Sequence, residues 1–369
     1  MTPPPETLLA HGLLDHADAR LVQWMCGRIR AAANTAEVIA FTHVVCALCL
    51  ARSEGSLAVP LDLETLGALT GRVLEGSRKD GAHAGDGSDA EAATHARLFL
   101  AAADGGRYAA VLGSPAMPRP LVRADGLLAF HRDWYAERVV ANHLAALRNA
   151  PRPLASERLD EILHETLVSR RLRGRDGASL DLTPRQREAL ESALRERVFV
   201  LAGGPGTGKT TWTAAWLRAI LRLPGVSPDR IRLCAPTGRA ARRLAESLGA
   251  TLAGCADDPR DLAAANLPVT TLHTLLGWNT RTGRFARTPD DPLDADVLLL
   301  DEASMADVHL MAALLRALPQ HARLVLAGDP GQLPAVEAGA VLGELLPAED
   351  GAPGPVPSVT LDASHRATG

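Results

Sequence analysis

The chain has 369 residues, of which 47% are hydrophobic and 22% charged, and its net charge is −4. That length exceeds one ordinary hydrophobic core, so two or three globular domains are expected, and the composition excludes a disordered or fibrous chain. The weakly acidic balance gives no bulk attraction for nucleic acid, so any such binding has to use a local groove.

The opening MTPPPETLLAHG has no basic stretch running into an apolar one, the pattern a secretory signal needs. The longest apolar region, VIAFTHVVCALCLA at 38–51, is interrupted by Thr42 and His43. It falls short of the roughly 18 residues expected of a membrane span. A cytoplasmic protein without membrane contact is the expectation. Cys46 and Cys49 form a C-x-x-C with apolar flanks and no second pair at finger-like spacing, which predicts two small core residues on one helical face.

Residues 1–150 are rich in Ala and Leu at helical spacing and predict a mainly helical N-terminal domain. Within them 76–92 is Gly, Ser and charge without period, a surface loop. The stretch 120–147 predicts a short hairpin turning at Asp125–Gly126 and running into a long helix. The histidines at 11, 16, 43, 83, 95 and 131 are scattered and are expected to pack or to lie at the surface. A polar segment at 169–183 marks a boundary, so 151–182 is expected to be a linker or helical connection. Beyond it, short apolar runs at 198–203, 230–238, 294–304, 322–329 and 357–361 alternate with helical patterns. Runs apolar on both faces predict an α/β fold with a parallel sheet flanked by helices.

Gly203-Gly204-Pro205-Gly206-Thr207-Gly208-Lys209-Thr210, with Thr211 behind it, fits G-x-x-x-x-G-K-[ST] between a strand and a helix. The glycines let backbone N–H groups face phosphate oxygens, and the helix starting there adds its positive end. Lys209 is one of only two lysines in the chain, and a compact ammonium suits the β- and γ-phosphates. The Thr210 hydroxyl and Asp301, at the end of the apolar run VLLL, are the expected Mg²⁺ ligands. Glu302 is placed to polarise an attacking water, which points to hydrolysis. In LAGDPGQLPAV (326–336) a turn is one reading of G-D-P-G, and Gln332 as a γ-phosphate sensor is the other.

The order of LTPRQREAL, GGPGTGKT, CAPTGRAARRL, TLHTLLGW, LLLDEASM, LAGDPGQLPAVEAGAVL and SHR resembles superfamily-one DNA helicases, and among these the RecD family. The stretch RADGLLAFHRDWYAERVVANHL is similar to that family's N-terminal region. The resemblance implies a RecA-like P-loop lobe over 183–369, ATP and Mg²⁺ as cofactors, and movement 5′ to 3′ on single-stranded DNA. It implies RecB-like and RecC-like partner subunits in an exodeoxyribonuclease V-like complex that repairs double-strand breaks. Gln186 would bond the adenine, Arg366 would reach the γ-phosphate, and Pro236, Thr237, Gly238 and Arg239 would touch the strand backbone. Arg242 and Arg243 are read as a solvated helix face, and His273 as either a signature residue or core packing. A second RecA-like domain is missing after Gly369, which predicts a lobe that holds nucleotide without acting as a motor. A non-catalytic partner-docking subunit and a stand-alone RecD-like or conjugative helicase are the alternatives.

Overall fold

A computed structural model describes residues 4–77, 87–151, 156–169, 172, 179–255, 258–332, 339–348 and 351–362. The contacts divide within one long helix: the described residues up to Glu137 form one compact unit, and those from Arg138, Gly339 apart, form another.

In the first unit α1 (Pro4–Ala10) and α2 (His16–Ile29) precede α3 (Thr35–Ser53). Asn34 and Glu37 start α3 with a reciprocal cap, each side chain accepting the other's backbone N–H. At 19 residues, with a mean hydropathy of 1.5 over its 18-residue window, α3 is long and apolar enough to cross a membrane, longer than the apolar run in the sequence indicated. Two-thirds of that window is buried inside the protein (67%), as in the central helix of a globular core. Cys46 and Cys49 lie on it as buried free thiols, pushed up by burial, in line with the core reading. His43 also lies on α3, and its ring stacks on that of His95 at 4.4 Å. Burial holds the His43 imidazole down to about 4, so it packs as a neutral ring.

Around α3 come β1 (Ala58–Pro60), α4 (Leu63–Gly76), α5 (Gly87–Asp104), β2 (Leu112–Gly113), β3 (Leu121–Ala124) and β4 (Leu127–Phe130). The sheet order is β1-β4-β3-β2, so this part is less purely helical than its composition suggests. Asp125 (φ 52°) and Gly126 (φ 76°) both lie in the left-handed region, the turn a two-residue hairpin requires. The loop expected at 76–92 is shorter than that, because α5 begins at Gly87; residues 78–86 lie outside the described ones. α6 (His131–Asn149) carries the chain on, and the division within it falls earlier than the expected boundary at 150.

In the second unit α7 (Ser156–His164) ends in a π-helical turn, Glu165–Ser169. Leu159, Ile162, Leu172 and Leu182 are buried in the second unit's core, so the described part of 151–182, helical over 156–169 and non-helical elsewhere, packs into this unit rather than trailing as a linker. Then follow α8 (Pro184–Arg195), β5 (Val198–Gly203), α9 (Lys209–Ile220), β6 (Ile231–Ala235), α10 (Gly238–Leu252), α11 (Pro259–Ala265) and β7 (Val269–Thr271). The remainder is α12 (Leu272–Leu276), β8 (Trp278–Asn279), β9 (Arg284–Phe285), β10 (Val297–Leu300), α13 (Val308–Ala317), β11 (Arg323–Gly328), α14 (Val341–Glu344) and β12 (Ser358–Leu361).

Six strands form one parallel sheet in the order β12-β5-β11-β10-β6-β7. β5, β10 and β11 are buried at every position, the pattern of strands covered on both faces. This is the α/β, RecA-like architecture that the motif order implies. Five of its strands coincide with the apolar runs of the sequence. The sixth, β7, is a three-residue edge strand with no apolar run to announce it.

Because the strands are parallel, their C-terminal ends share one edge, where ligands gather in open α/β sheets. α9 leads away from that edge and is tied down along its far half. Arg218 donates to Asp261 at 2.8 Å, while Arg222 pairs with Asp261 at 2.7 Å, Asp258 at 2.9 Å and Glu165 at 3.0 Å. Both guanidinium groups are almost wholly buried, and removing one member of such a network costs about 3–5 kcal/mol because a charge is left unpaired.

Candidate functional site

Gly206 (φ 79°) and Gly208 (φ 85°) hold the loop after β5 in left-handed backbone that side chains resist. Gly203 is constrained differently: a Cβ there would sit 2.7 Å from Thr207 Oγ1 and 3.2 Å from Leu361 Cβ. The loop therefore passes close under β12. Lys209 opens α9, and its ammonium donates to the carbonyl oxygens of Gly203 at 2.5 Å and Gly204 at 3.2 Å. The charge is thus held over the loop's own hollow.

A cleft of about 310 Å³ lies at this edge, lined by Gly204, Pro205, Gly206, Gly208, Lys209 and Thr210 on one side and Asp301, Glu302 and Gln332 on the other. The sheet brings these distant segments together, with β11 between the strand of the loop and the strand of the acids. Thr211 follows Thr210 in α9 and is not among the cleft residues. Asp301 is anchored by its N–H to the Cys234 carbonyl at 2.9 Å. Burial and the neighbouring Glu302 push the Asp301 carboxyl up to about 6.

Glu302 has φ 51° and ψ 41°, a left-handed conformation that a residue with a side chain adopts at a cost of about 1–3 kcal/mol. Among the described residues its buried Oε2 has no hydrogen-bond partner, and neither has the buried Ser304 Oγ two residues on. Gly328 makes this turn possible, since a Cβ there would meet the backbone nitrogens of Ser304 at 3.2 Å and Ala303 at 3.3 Å. Beyond it the G-D-P-G segment is indeed a turn: Asp329 Oδ1 accepts the Gly331 N–H at 3.0 Å. The same turn delivers Gln332 to the cleft, so the two sequence readings of this segment are compatible.

Mg²⁺ fits these residues. Among the described residues no group of three or more His, Cys, Asp or Glu side chains forms a metal cage. One hydroxyl and one carboxylate facing a phosphate-shaped loop, with unpaired buried oxygens alongside, suit an ion that keeps water and takes phosphate oxygens.

Gln186 departs from its expected place. It is buried, its Oε1 accepts the Thr183 N–H at 2.9 Å, and its Nε2 donates to the Thr207 carbonyl at 3.0 Å. The amide caps α8 and braces the phosphate loop, and Gln186 is not among the residues that line the cleft. Replacing Gln186 by alanine is expected to lower stability by about 1–3 kcal/mol, because it leaves the buried Thr207 carbonyl and Thr183 N–H without this partner. Nucleotide affinity should fall with it; chemical unfolding and nucleotide titration of the same variant would check both. Arg366 lies outside the described residues.

Pro236, Thr237, Gly238 and Arg239 stand at the end of β6 and the start of α10, with Thr237 Oγ1 capping the helix through the Ala240 N–H at 3.2 Å. Arg239 is exposed, with no hydrogen bond or ion pair among the described residues. β7 runs alongside, since a Cβ on Gly238 would reach Thr271 Cγ2 at 4.0 Å. His273 is exposed rather than core: its ring meets Trp278 edge-on at 5.9 Å and Phe285 at 5.8 Å. Trp278, 41% exposed, and Phe285 belong to the β8–β9 hairpin, which also carries Arg281 and Arg284. The sequence reading missed this aromatic cluster. The only signal for it was W-N-T-R-T-G-R-F, two aromatics bracketing basic turn residues.

Comparison with known proteins agrees with the geometry. The AAA domain family AAA_19 matches residues 186–338. The RecBCD enzyme subunit RecD of Mycobacterium tuberculosis is 40% identical over 245 residues, 64% of this chain and 39% of that protein. The same subunit of Haemophilus influenzae is 37% identical over 231 residues, 61% of this chain and 35% of that one. The ATP-dependent RecD2 DNA helicase of Deinococcus radiodurans is 39% identical over 158 residues, 43% and 19% of the two chains. The chain thus spans about two-fifths of the length of the RecD subunits it matches. In sequence the chain is therefore similar to RecD subunits, and the part of it that matches the AAA domain family lies in the α/β second unit.

Proposed function

We propose that this chain binds and hydrolyses Mg·ATP as the nucleotide-binding part of a RecD-type DNA helicase acting on single-stranded DNA. The observation that carries the reading is the meeting of Lys209, Thr210, Asp301, Glu302 and Gln332 on one cleft at the sheet edge.

The loop N–H groups from Gly206 to Thr210 cradle the phosphates, and Lys209 leaves its two carbonyl partners to follow the charge. Thr210 and Asp301 are the residues that would hold Mg²⁺, which when bound offsets charge on the β- and γ-phosphate oxygens. Glu302 orients a water and takes its proton on the unpaired Oε2. Gln332, which follows the turn after β11 and lines the cleft, would bond a terminal phosphate oxygen and register its departure. Arg366 is proposed as a further γ-phosphate contact. Gln186 acts on the nucleotide through Thr207 and the loop.

Single-stranded DNA would run past Pro236–Arg239, where contacts to phosphates position the strand without reading bases, and over the Trp278–His273 face, where bases stack. Movement 5′ to 3′ and assembly with RecB-like and RecC-like subunits in break repair, in the cytoplasm, complete the proposal. They rest on likeness to subunits of the RecBCD enzyme.

The test is ATP hydrolysis by this chain with and without single-stranded DNA. Stimulation by DNA supports the reading, and absence of nucleotide binding overturns it. Trp278→Ala is expected to weaken single-stranded DNA binding by about five- to a hundredfold, the worth of one base–aromatic stack. Its ATP affinity in the absence of DNA should stay unchanged; fluorescence anisotropy with a labelled oligonucleotide measures the first effect.

A further inference from the structure

The cleft as assigned so far is electrostatically unbalanced. Lys209 brings one positive charge, while Asp301 and Glu302 bring two negative ones. A magnesium triphosphate is still anionic, so it would enter a site whose side chains are already net negative.

Helix α10 supplies a second cation. Ala240, Arg243, Leu244 and Ser247 line the same cleft, at the i, i+3, i+4 and i+7 spacing of one helical face. Arg243 is exposed at the surface of this face and makes no hydrogen bond or ion pair among the described residues. Its neighbour Arg242 behaves as the sequence reading expected of both, pairing with Glu246 at 2.8 Å on the solvent side. Arg243 shares the lining of this one cleft with Asp301, Glu302 and Gln332. The end of the phosphate chain that faces Asp301 and Glu302 is the terminal one, given the hydrolytic reading of Glu302.

We propose that Arg243 is a second phosphate-binding cation of this cleft, contacting the terminal phosphate and so separating nucleoside triphosphate from diphosphate. The proposal rests on the nucleotide reading above. A guanidinium can grip two phosphate oxygens at once, which suits a group that must register whether the last phosphate is present. The same helix begins at Thr237–Arg239, six residues or about 9 Å upstream along its axis, where the strand contacts are proposed. Occupancy of the terminal phosphate site therefore bears directly on the element that meets DNA.

The experiment is equilibrium titration of this chain with a non-hydrolysable ATP analogue and with ADP, in Mg²⁺, for the unaltered protein and for Arg243→Ala, Arg243→Lys and Lys209→Ala. Arg243→Ala is expected to weaken the triphosphate about ten- to a hundredfold, as for one lost charge-assisted contact, and ADP less than about twofold. Arg243→Lys should recover part of that loss, and an unchanged melting temperature would confirm that the exposed substitution leaves the fold alone. Equal loss for both nucleotides, or no loss, overturns the role of Arg243. Failure of the unaltered chain to bind either nucleotide, or unchanged binding in Lys209→Ala, overturns instead the nucleotide reading on which it rests.

Discussion

Glu302→Gln is expected to lower ATP hydrolysis by about two to four orders of magnitude while leaving ATP affinity within about threefold. Glutamine is nearly isosteric and keeps an oxygen in the cleft, so phosphate contacts around Lys209 and Thr210 survive. What disappears is the proton acceptor. The buried Oε2 has no hydrogen-bond partner among the described residues, so it is free to take a proton, and the left-handed backbone of Glu302 fixes where the side chain starts. Comparison of single-turnover hydrolysis with equilibrium binding separates the two effects. Loss of affinity in parallel with loss of rate would assign Glu302 to binding rather than to water activation.

Asp301→Asn is expected to raise stability and abolish Mg²⁺-dependent turnover together. The Asp301 carboxyl titrates at about 6 in the folded chain, above its ordinary value, because burial and Glu302 both disfavour its charge. The folded state therefore holds this proton over a pH range in which the unfolded chain has released it. Stability falls as pH rises from about 4 to about 6, and the deficit persists at neutral pH. An amide carries no such charge. The variant should gain about 2 kcal/mol at pH 7.5, seen as a few degrees in melting temperature, and almost nothing at pH 4. The measurement is made in a chelator without nucleotide, where no cation offsets the carboxylate. An equal gain at both pH values would show that packing, not charge, sets the difference.

The loop and the acid pair were legible in the sequence because their chemistry is local. G-x-x-x-x-G-K-T needs its glycines at fixed backbone positions, and VLLL before Asp301–Glu302 is a strand whose end must be exposed. The parallel sheet was legible for the same reason, since doubly covered strands have no polar alternate positions. Gln186 was not, because the number of hydrogen bonds open to a glutamine does not say whether base, cap or loop will use them. Arg242 and Arg243 are chemically identical neighbours in the sequence. Only the rotation of α10 about its axis puts one on Glu246 and the other on the cleft. Trp278 and Phe285 meet His273 through a hairpin with two-residue strands, too short for any periodic signal. In the N-terminal unit, β1 and β2, of three and two residues, were hidden among alanine and leucine for the same reason, whereas the β3–β4 hairpin announced itself through Asp125–Gly126.

The arginine–carboxylate cluster at Arg218 and Arg222 turns the length of α9 into a gauge. Arg218 stands nine positions after Lys209, and each residue turns a helix by about 100°. With one end bolted to Asp258 and Asp261, deletion of a single residue between them would swing the ammonium to another side of the helix rather than merely shorten it. The orientation of Lys209 over the loop at one tip of this rod is thus phased by ion pairs about two and a half turns away.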